Sequence, residues 1–398
     1  MKKSFFLFLL ILLPLPVLAD TQETQNLEEL QNTEEFQMPT DPVEGQDVYH
    51  NEYYKGKVVE IIEEGIHEIG TFRQPFQKVK VRILEGPDAL ESFEHEFQIT
   101  ETNFDKQKLQ IDDKVVVVKT ISPTSEQFYI AEPYRLPAIM WFFIIFFLVA
   151  VYFARFKGLS SIVGLCFSLL VIAKFVIPQI VAGKDPLLIS IMGSLVILIF
   201  SLYLAHGFNK RTTVALAGTA ISLGVAAGLA VIAANFGNMF GLGSEESISL
   251  LQGQLKNINL QGLFLGGVII GALGVLDDIT TAQSAVVDEL HQANHKLPVS
   301  ELYKRGLSVG REHIASLINT LALAYVGAAL PLVLIFTQTD FPLWVIFNSE
   351  LIAEEIIRTL VGSTALILAV PITTYLAAHL FVKDKQREAD EIPTYHIH

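Results

Sequence analysis

Cysteine is almost absent from the chain. The single cysteine, Cys166, lies inside an apolar run, so one chain can form neither a disulfide framework nor a thiolate metal site. The phosphate-binding motif G-x-x-x-x-G-K-[ST] is absent, so the sequence gives no support for direct use of ATP. Lysine and arginine are missing from residues 20–50, which contain many acids. We expect no cofactor, no metal ion and no nucleic-acid partner.

Apolar residues, in contrast, are abundant. The chain has 398 residues, of which 51% are hydrophobic, and its mean hydropathy is +0.44, values typical of a multi-pass membrane protein. A helix needs roughly 20 apolar residues to cross a bilayer. The sequence predicts an α-helical polytopic membrane bundle over residues 134–384 with about seven spans, near 137–154, 159–177, 187–205, 213–235, 260–281, 314–336 and 358–381.

The N-terminus has the pattern of a secretory signal. Two lysines precede a short apolar core, and small residues at Val17 and Ala19 predict a signal peptide over residues 1–19. An uncleaved anchor is the alternative. No cysteine follows the cleavage point, which excludes a lipoprotein. Residues 20–50 are acidic and poor in aliphatic side chains, so we expect a flexible leader.

Residues 51–133 change to short alternating runs. Val79, Val81 and Ile83 alternate with Lys80 and Arg82, and four other runs show the same period of two between Gly and Pro residues. This pattern predicts a small exported all-β domain, built as an antiparallel barrel or sandwich. We interpret it as a structural domain. The alternative is a partner- or ligand-binding module of the OB-like or SH3-like kind.

The basic residues set the predicted orientation. They gather on one side of successive spans, and the positive-inside bias makes that side cytoplasmic. We therefore predict a protein of the bacterial cytoplasmic membrane with the β domain outside and a cytoplasmic tail at residues 385–398. The signal peptide predicts the same orientation independently. The basic residues are Arg155, Lys157, Lys210, Arg211, Lys296, Lys304, Arg305, Arg311, Lys383, Lys385 and Arg387.

Two adjacent acids stand out in the fifth predicted span. Asp277 and Asp278 follow a glycine-rich apolar segment without a turn signal. Acids carried by a membrane helix are costly and usually functional, so we predict ion coupling or translocation here. Thr281, Ser284 and Asp288 share a helix face with Asp277 and extend it as a polar stripe. The alternative is an amphipathic helix beyond the membrane edge.

Other residues are candidates to complete this site or to pack the helices. Lys174 in the second span, and His313 and Asn319 at the start of the sixth, are predicted polar partners of the acids. The alternative for Lys174 is that its long side chain snorkels to the membrane surface. At the outer end of the last span, a Glu354–Arg358 pair is predicted to be structural. Five glycines of the fifth span are predicted to allow close helix packing, namely Gly262, Gly266, Gly267, Gly271 and Gly274.

Signals for an enzyme are weak. Gly306-Leu-Ser308-Val-Gly310 fits the nucleophile-elbow pattern G-x-S-x-G, but it lacks the preceding strand that this motif requires. His291 and His295, four residues apart, fit a solvated helix face better than a metal site. The sequence therefore favours a function other than catalysis.

The overall plan resembles a known family. An exported β-rich domain, several spans, and the segments GALGVLDDITTAQSAVVDEL and RGLSVGREHIASLINTLALAYVGAALPL are similar to YibE/F-like bacterial membrane proteins. This resemblance implies a topology rather than an activity. A weaker likeness is to the RND superfamily, including SecD and SecF, in which a glycine-rich span carries an acid. It implies proton coupling at Asp277 or Asp278, although the chain lacks a second half and large exported domains.

From these observations we expect a membrane transporter or a transport-coupled factor, with Asp277 and Asp278 binding a proton or cation. The alternative is a non-transporting scaffold whose exported β domain binds a partner protein, peptide or polymer. Beyond the lipid bilayer, the expected partner is a second copy of the chain or a related membrane subunit, which would supply what a single chain lacks.

Overall fold

The structure is a computed structural model that describes residues 50–69, 72–98, 107–122, 125–253 and 257–390. The predicted signal peptide, the predicted leader except His50, and residues 391–398 of the predicted tail lie outside the described residues. The chain divides into two compact units, Met1–Arg135 and Leu136–His398. Each unit is described by itself.

The first unit is a curled antiparallel sheet of five strands, arranged in the order β3-β2-β1-β4-β5. Two register shifts interrupt the pairing of β1 with β2, between Val58 and Glu60 and between Ile61 and Glu63. Such bulges increase strand twist and bend the sheet, here into a half-barrel. The strands are β1 (His50–Ile69), β2 (Phe72–Ile83), β3 (Ser92–Gln98), β4 (Lys114–Ile121) and β5 (Glu126–Pro133).

The predicted alternation is present in β2, where Val79, Val81 and Ile83 are all fully buried. The two edge strands approach each other through side chains, since the rings of Phe93 on β3 and Phe128 on β5 stack with centroids 5.4 Å apart. The predicted all-β domain is therefore confirmed as a half-barrel. An OB-like fold is not confirmed.

The second unit is helical. Side-chain oxygens of Asp185, Asn209, Ser244 and Asn259 accept backbone N–H groups at helix starts, as N-caps do. A π-helical turn, Ile172–Val176, joins α1 to α2. The helices are α1 (Leu136–Val171), α2 (Ile177–Val181), α3 (Pro186–His206), α4 (Lys210–Phe236), α5 (Glu245–Gln252), α6 (Leu260–Ala293), α7 (Val299–Ala328), α8 (Leu330–Thr337), α9 (Leu343–Asn348) and α10 (Glu350–Asp390).

Five helical stretches are long and apolar enough to cross a membrane, or six if α7 and α8, bent by 61°, form one span. The chain is therefore a multi-pass membrane protein, but the predicted count of seven is not confirmed. The predicted spans 137–154 and 159–177 both fall within the single stretch Leu136–Val181. That stretch is broken at Arg155, whose φ of 53° and ψ of −132° are not helical.

Helix α6 occupies the middle of the bundle and packs against α3, α4, α7 and α10. Its apolar side chains, including Ile269 and Leu276, join Leu223 of α4 and Leu366 of α10 in one buried cluster. Lipid supplies no hydrophobic drive for helix association, so close packing of this kind stabilises the bundle. The central position of α6 brings its polar residues next to several helices at once.

Candidate functional site

The two adjacent acids of α6 have different surroundings. Asp277 is half-buried, and its Oδ1 atom is shielded from solvent without a hydrogen-bond partner among the described residues. Asp278 is exposed and lines a cleft. Consecutive helix residues point about 100° apart, so one acid faces other helices while its neighbour faces open space. The pair therefore places one shielded carboxylate beside one accessible carboxylate.

The cleft has a volume of about 550 Å³ and is bounded by α1, α3, α4 and α6. Its titratable lining consists of Asp278 and three basic residues, Lys157, His206 and Arg211. Thr281 contributes a hydroxyl that is shielded and has no partner among the described residues. The cleft thus combines one acid, several bases and a polar wall, a composition suited to a small polar molecule or ion.

The contacts between α4 and α6 fix the depth of Asp278 relative to the basic residues. Ser284 Oγ of α6 donates a hydrogen bond to the main-chain oxygen of Arg211, 2.8 Å away, at the first turn of α4. Asp278 precedes Ser284 by six residues, which is about 9 Å along a helix. The acid therefore lies deeper in the bundle than Arg211.

The polar stripe predicted on α6 is only partly available for a path. Thr281 lines the cleft, but Ser284 is engaged with Arg211. Asp288 lies 4.0 Å from the Arg211 guanidinium and accepts a hydrogen bond from Gln292 at 3.0 Å. The inner part of the stripe therefore joins helices together.

The predicted polar partners are not brought to the acids. Lys174 is exposed in the π-helical turn, and His313 and Asn319 are exposed on α7. Within the described part of the chain, none of them forms a hydrogen bond or an ion pair with Asp277 or Asp278. The residues that line the cleft with Asp278 include Thr281, which was predicted as part of the polar stripe, and His206, which was not predicted.

The predicted packing glycines fall into two groups. A Cβ at Gly266 would overlap the Ser190 hydroxyl of α3, and one at Gly262 would lie 3.3 Å from Pro186 Cδ, so both allow close contact with α3. A Cβ at Gly271 would meet only the Tyr325 hydroxyl, at 3.7 Å, and at Gly267 and Gly274 it would meet nothing within 4 Å. These last three lie on an exposed face of α6.

A buried polar layer around Gln283, on the same helix as the acids, was not predicted from the sequence. Gln283 of α6 is fully buried, and its Nε2 donates to the Gly306 oxygen of α7 at 2.9 Å and to Thr374 Oγ1 of α10 at 2.7 Å. A Cβ at Gly310 would lie 2.9 Å from Gln283 Oε1. The two glycines of the G-x-S-x-G match are thus a helix-packing pair, a function that their i, i+4 spacing could have indicated.

At the opposite end of the helices, two acids of α10 hold the segment after α4. Glu350 Oε1 accepts hydrogen bonds from the backbone N–H groups of Phe240, Gly241 and Leu242, and Glu354 Oε1 accepts one from Gly243 at 2.8 Å. The predicted Glu354–Arg358 pair is wrong. Arg358 pairs with Glu355 at 2.6 Å, because residues three apart also share a helix face.

Within the described ranges, no group of three or more His, Cys, Asp or Glu side chains could hold a metal ion. His291 and His295 lie with ring centroids 5.3 Å apart in an edge-to-face contact. The cleft itself is lined by carboxylate, hydroxyl and basic side chains.

Comparison with known proteins gives one finding. A sequence model of the family described as YibE/F-like protein matches residues 142–383. No curated protein matches the chain, and no solved structure matches it. The weaker likeness to the RND superfamily is not shown. The matched range contains the acids and the whole lining of the cleft.

Proposed function

The chain belongs to the YibE/F-like protein family, and on this premise we propose that it is a membrane transporter or a transport-coupled factor that uses a proton or cation bound at Asp277 and Asp278. One observation carries the proposal: a shielded carboxylate oxygen without a described partner lies one residue from a carboxylate that faces a cleft. Carboxylates carried by a membrane helix are energetically costly, and those that are found there usually serve a function.

The proposed topology has seven spans in the cytoplasmic membrane, with the β domain outside and the C-terminus inside. The support is the break at Arg155, which ends one helical segment and starts another. A Cβ at Gly158 would lie only 2.5 Å from the Ala150 oxygen, so the chain turns back on itself there. Residues eight apart in a continuous helix would be about 12 Å apart along its axis.

In the proposed mechanism the two acids have separate tasks. Asp278 exchanges the proton or cation with water in the cleft, and Asp277 holds it against the neighbouring helices. Loading and release change the charge at a buried contact of α6, which favours one packing of the helices over another. In one packing of the helices, the path would be open to one side of the membrane, and in the other packing to the opposite side. This alternation would couple movement of the ion to movement of a transported molecule.

The test is proton flux in vesicles that contain the purified protein and a pH-sensitive dye. The variant Asp277→Asn, Asp278→Asn should lose the flux while eluting as a folded protein from size-exclusion chromatography. Glu312→Gln is the matched control, because Glu312 is an exposed acid of α7 outside the cleft. Flux that survives in the double variant refutes the proposal.

The second candidate function is a non-transporting scaffold. The observation that favours it is the surface of α4 and α6, where Gly224, Gly228, Gly267 and Gly274 are exposed and have no neighbouring atom within 4 Å of a Cβ position. Exposed glycines let another helix approach closely. The occupant proposed is a second copy of the chain or a related membrane subunit.

Deleting residues 20–133 separates the two functions. A scaffold that acts through its exported domain should lose its effect completely, whereas a transporter core should retain ion flux. For assembly itself, Gly267→Leu combined with Gly274→Leu should lower the oligomeric mass measured by native mass spectrometry. A similar double substitution of Ile221 and Ile232 to Leu on the exposed face of α4 is the control, because it adds little bulk.

A further inference from the structure

The cleft has opposite charges at its two ends, and the geometry points to a small zwitterionic molecule as its ligand, one with an ammonium group and a carboxylate or phosphate group. This inference rests on the proposed transport function and specifies its substrate class. Asp278 lies at the deep end with the His206 imidazole beside it, and Lys157 and Arg211 form the shallow end.

At the deep end, Asp278 is exposed to the cleft and forms no ion pair with any described residue. Thr281, one turn further along α6, adds a shielded hydroxyl oxygen without a described partner. The exposed Asp278 carboxylate accepts hydrogen bonds, and an ammonium group offers three donors. This end therefore fits a primary ammonium group.

At the shallow end, Lys157 is exposed and likewise forms no ion pair with a described residue. Arg211 also lines the cleft, although its guanidinium is shared with Asp288 at 4.0 Å and Glu289 at 3.7 Å. Its planar group can engage an additional anion through other N–H donors. Lys157 and Arg211 together fit a carboxylate or a phosphate.

The charge pattern selects among ligands. A simple anion bound by Lys157 and Arg211 leaves Asp278 with only the His206 imidazole beside it. A simple cation at Asp278 leaves Lys157 without an ion pair, although Arg211 keeps its contacts with Asp288 and Glu289. A molecule that carries both charges can pair with Asp278 and Lys157 at once, so it matches the charges of the cleft better than a simple anion or a simple cation does. A volume of about 550 Å³ lies within the usual range for small-molecule sites.

The experiment uses the full-length protein in detergent without an ion gradient, and isothermal titration calorimetry measures binding. The probes are the unbranched ω-amino acids from glycine to 6-aminohexanoate, with butylamine and butyrate as singly charged controls. About 9 Å of helix separates the level of Asp278 from that of Arg211. We therefore expect the longer members to bind at least fivefold more tightly than glycine and than either singly charged control.

The variants assign the two ends. Asp278→Asn should weaken binding of 6-aminohexanoate about fivefold or more while leaving binding of butyrate unchanged, and Lys157→Gln should do the same while leaving butylamine unchanged. Lys304→Gln removes an exposed charge of α7 outside the cleft and should have no effect. Lys157 is exposed, so its substitution tests the inference even if Asp278→Asn fails to fold.

Two results overturn the inference: butyrate that binds as tightly as 6-aminohexanoate, or no binding by any member of the series. Where the series binds, phosphoethanolamine and vesicles of phosphatidylethanolamine distinguish a free ligand from a lipid headgroup, and binding of either supports the zwitterion class. Proton flux that depends on Asp277, measured without any zwitterion binding, would preserve the proposed function while refuting its substrate class.

Discussion

The hydroxyl oxygens of Thr219 on α4 and Thr280 on α6 lie 2.6 Å apart in the interior of the bundle, and both side chains are fully buried. Thr219 Oγ1 also lies 2.9 Å from the main-chain oxygen of Ala215, and Thr280 Oγ1 lies 3.2 Å from the main-chain oxygen of Asp277. This contact ties the helix that carries the acids to α4, whose first turn lines the cleft. Its strength therefore bears on how firmly the acids are positioned.

A double-mutant cycle should measure this contact. Thr219→Val and Thr280→Val each remove one hydroxyl and nearly conserve shape, so the coupling between them reports the hydrogen bond. Interhelical hydrogen bonds in membranes average about 0.6 kcal/mol, and we expect a coupling of that size. Unfolding in mixed micelles gives the free energies. Thr320→Val, on the exposed side of α7, is the control, and zero coupling would contradict the assignment.

Two glycines of α7 should respond in opposite directions to alanine. A Cβ at Gly310 would overlap Val370 Cγ1 of α10, so Gly310→Ala should destabilise the protein by about 1–3 kcal/mol, the usual effect of overpacking. Gly327 has nothing within 4 Å, so Gly327→Ala should stabilise the helix by up to about 1 kcal/mol.

The measurement is again the free energy of unfolding in mixed micelles. Val370→Ala makes room at Gly310 and should rescue part of the loss in the double variant. Equal effects at Gly310 and Gly327 would mean that α7 does not approach α6 and α10 at this level.

Much of the fold follows from periodicity. The period of two at Val79, Val81 and Ile83 predicts the buried face of β2, and runs of about 20 apolar residues predict most of the spans. The number of spans does not follow in the same way. The non-helical backbone at Arg155 coincides with the gap predicted between the spans 137–154 and 159–177, where Arg155 and Lys157 interrupt the apolar run. The sequence pattern alone does not specify whether two helices cross the membrane on either side of such a break.

The candidate site was predictable only in part. Asp277 and Asp278 stand out because charged residues interrupt an apolar span, a local signal. Their surroundings depend on which helices pack against α6. The sequence does not indicate that Gln283 contacts Gly306 and Thr374, or that Arg211 accepts a hydrogen bond from Ser284. Lys174 was predicted as a partner of the acids from its depth in the membrane. Depth does not specify the side of the bundle on which a residue lies, and Lys174 is exposed.

The segment after α4 should depend on the space at Gly243. A Cβ there would lie 2.6 Å from Glu354 Oε2, so Gly243→Ala should displace this segment from α10. Hydrogen exchange at residues 240–243 should then rise, because their N–H groups lose the carboxylates of Glu350 and Glu354. Adding Glu354→Ala removes the clash.

The rescue is specific. The double variant should recover a slower exchange at Gly241, whose N–H is held by Glu350, but not at Gly243, which has lost its acceptor. Gly241→Ala should not be rescued in this way, since Gly241 has a φ of 83°, which strains any residue with a Cβ. If the hydrogen-exchange rate at Gly241 is the same in all of these variants, the contact with Glu350 is refuted.

The β domain should lose stability in mild acid through His95. Burial lowers the pKa of this imidazole in the folded domain, with Glu96 partly opposing the effect. The stability that His95 contributes is therefore fully present above its unfolded pKa of about 6.5 and is lost as the pH falls below that value.

His95→Gln should flatten the dependence of stability on pH between about 7 and 5. Hydrogen exchange of β2 and β3 in the full-length protein measures this dependence. A slope that persists in His95→Gln would assign the acid sensitivity to another group.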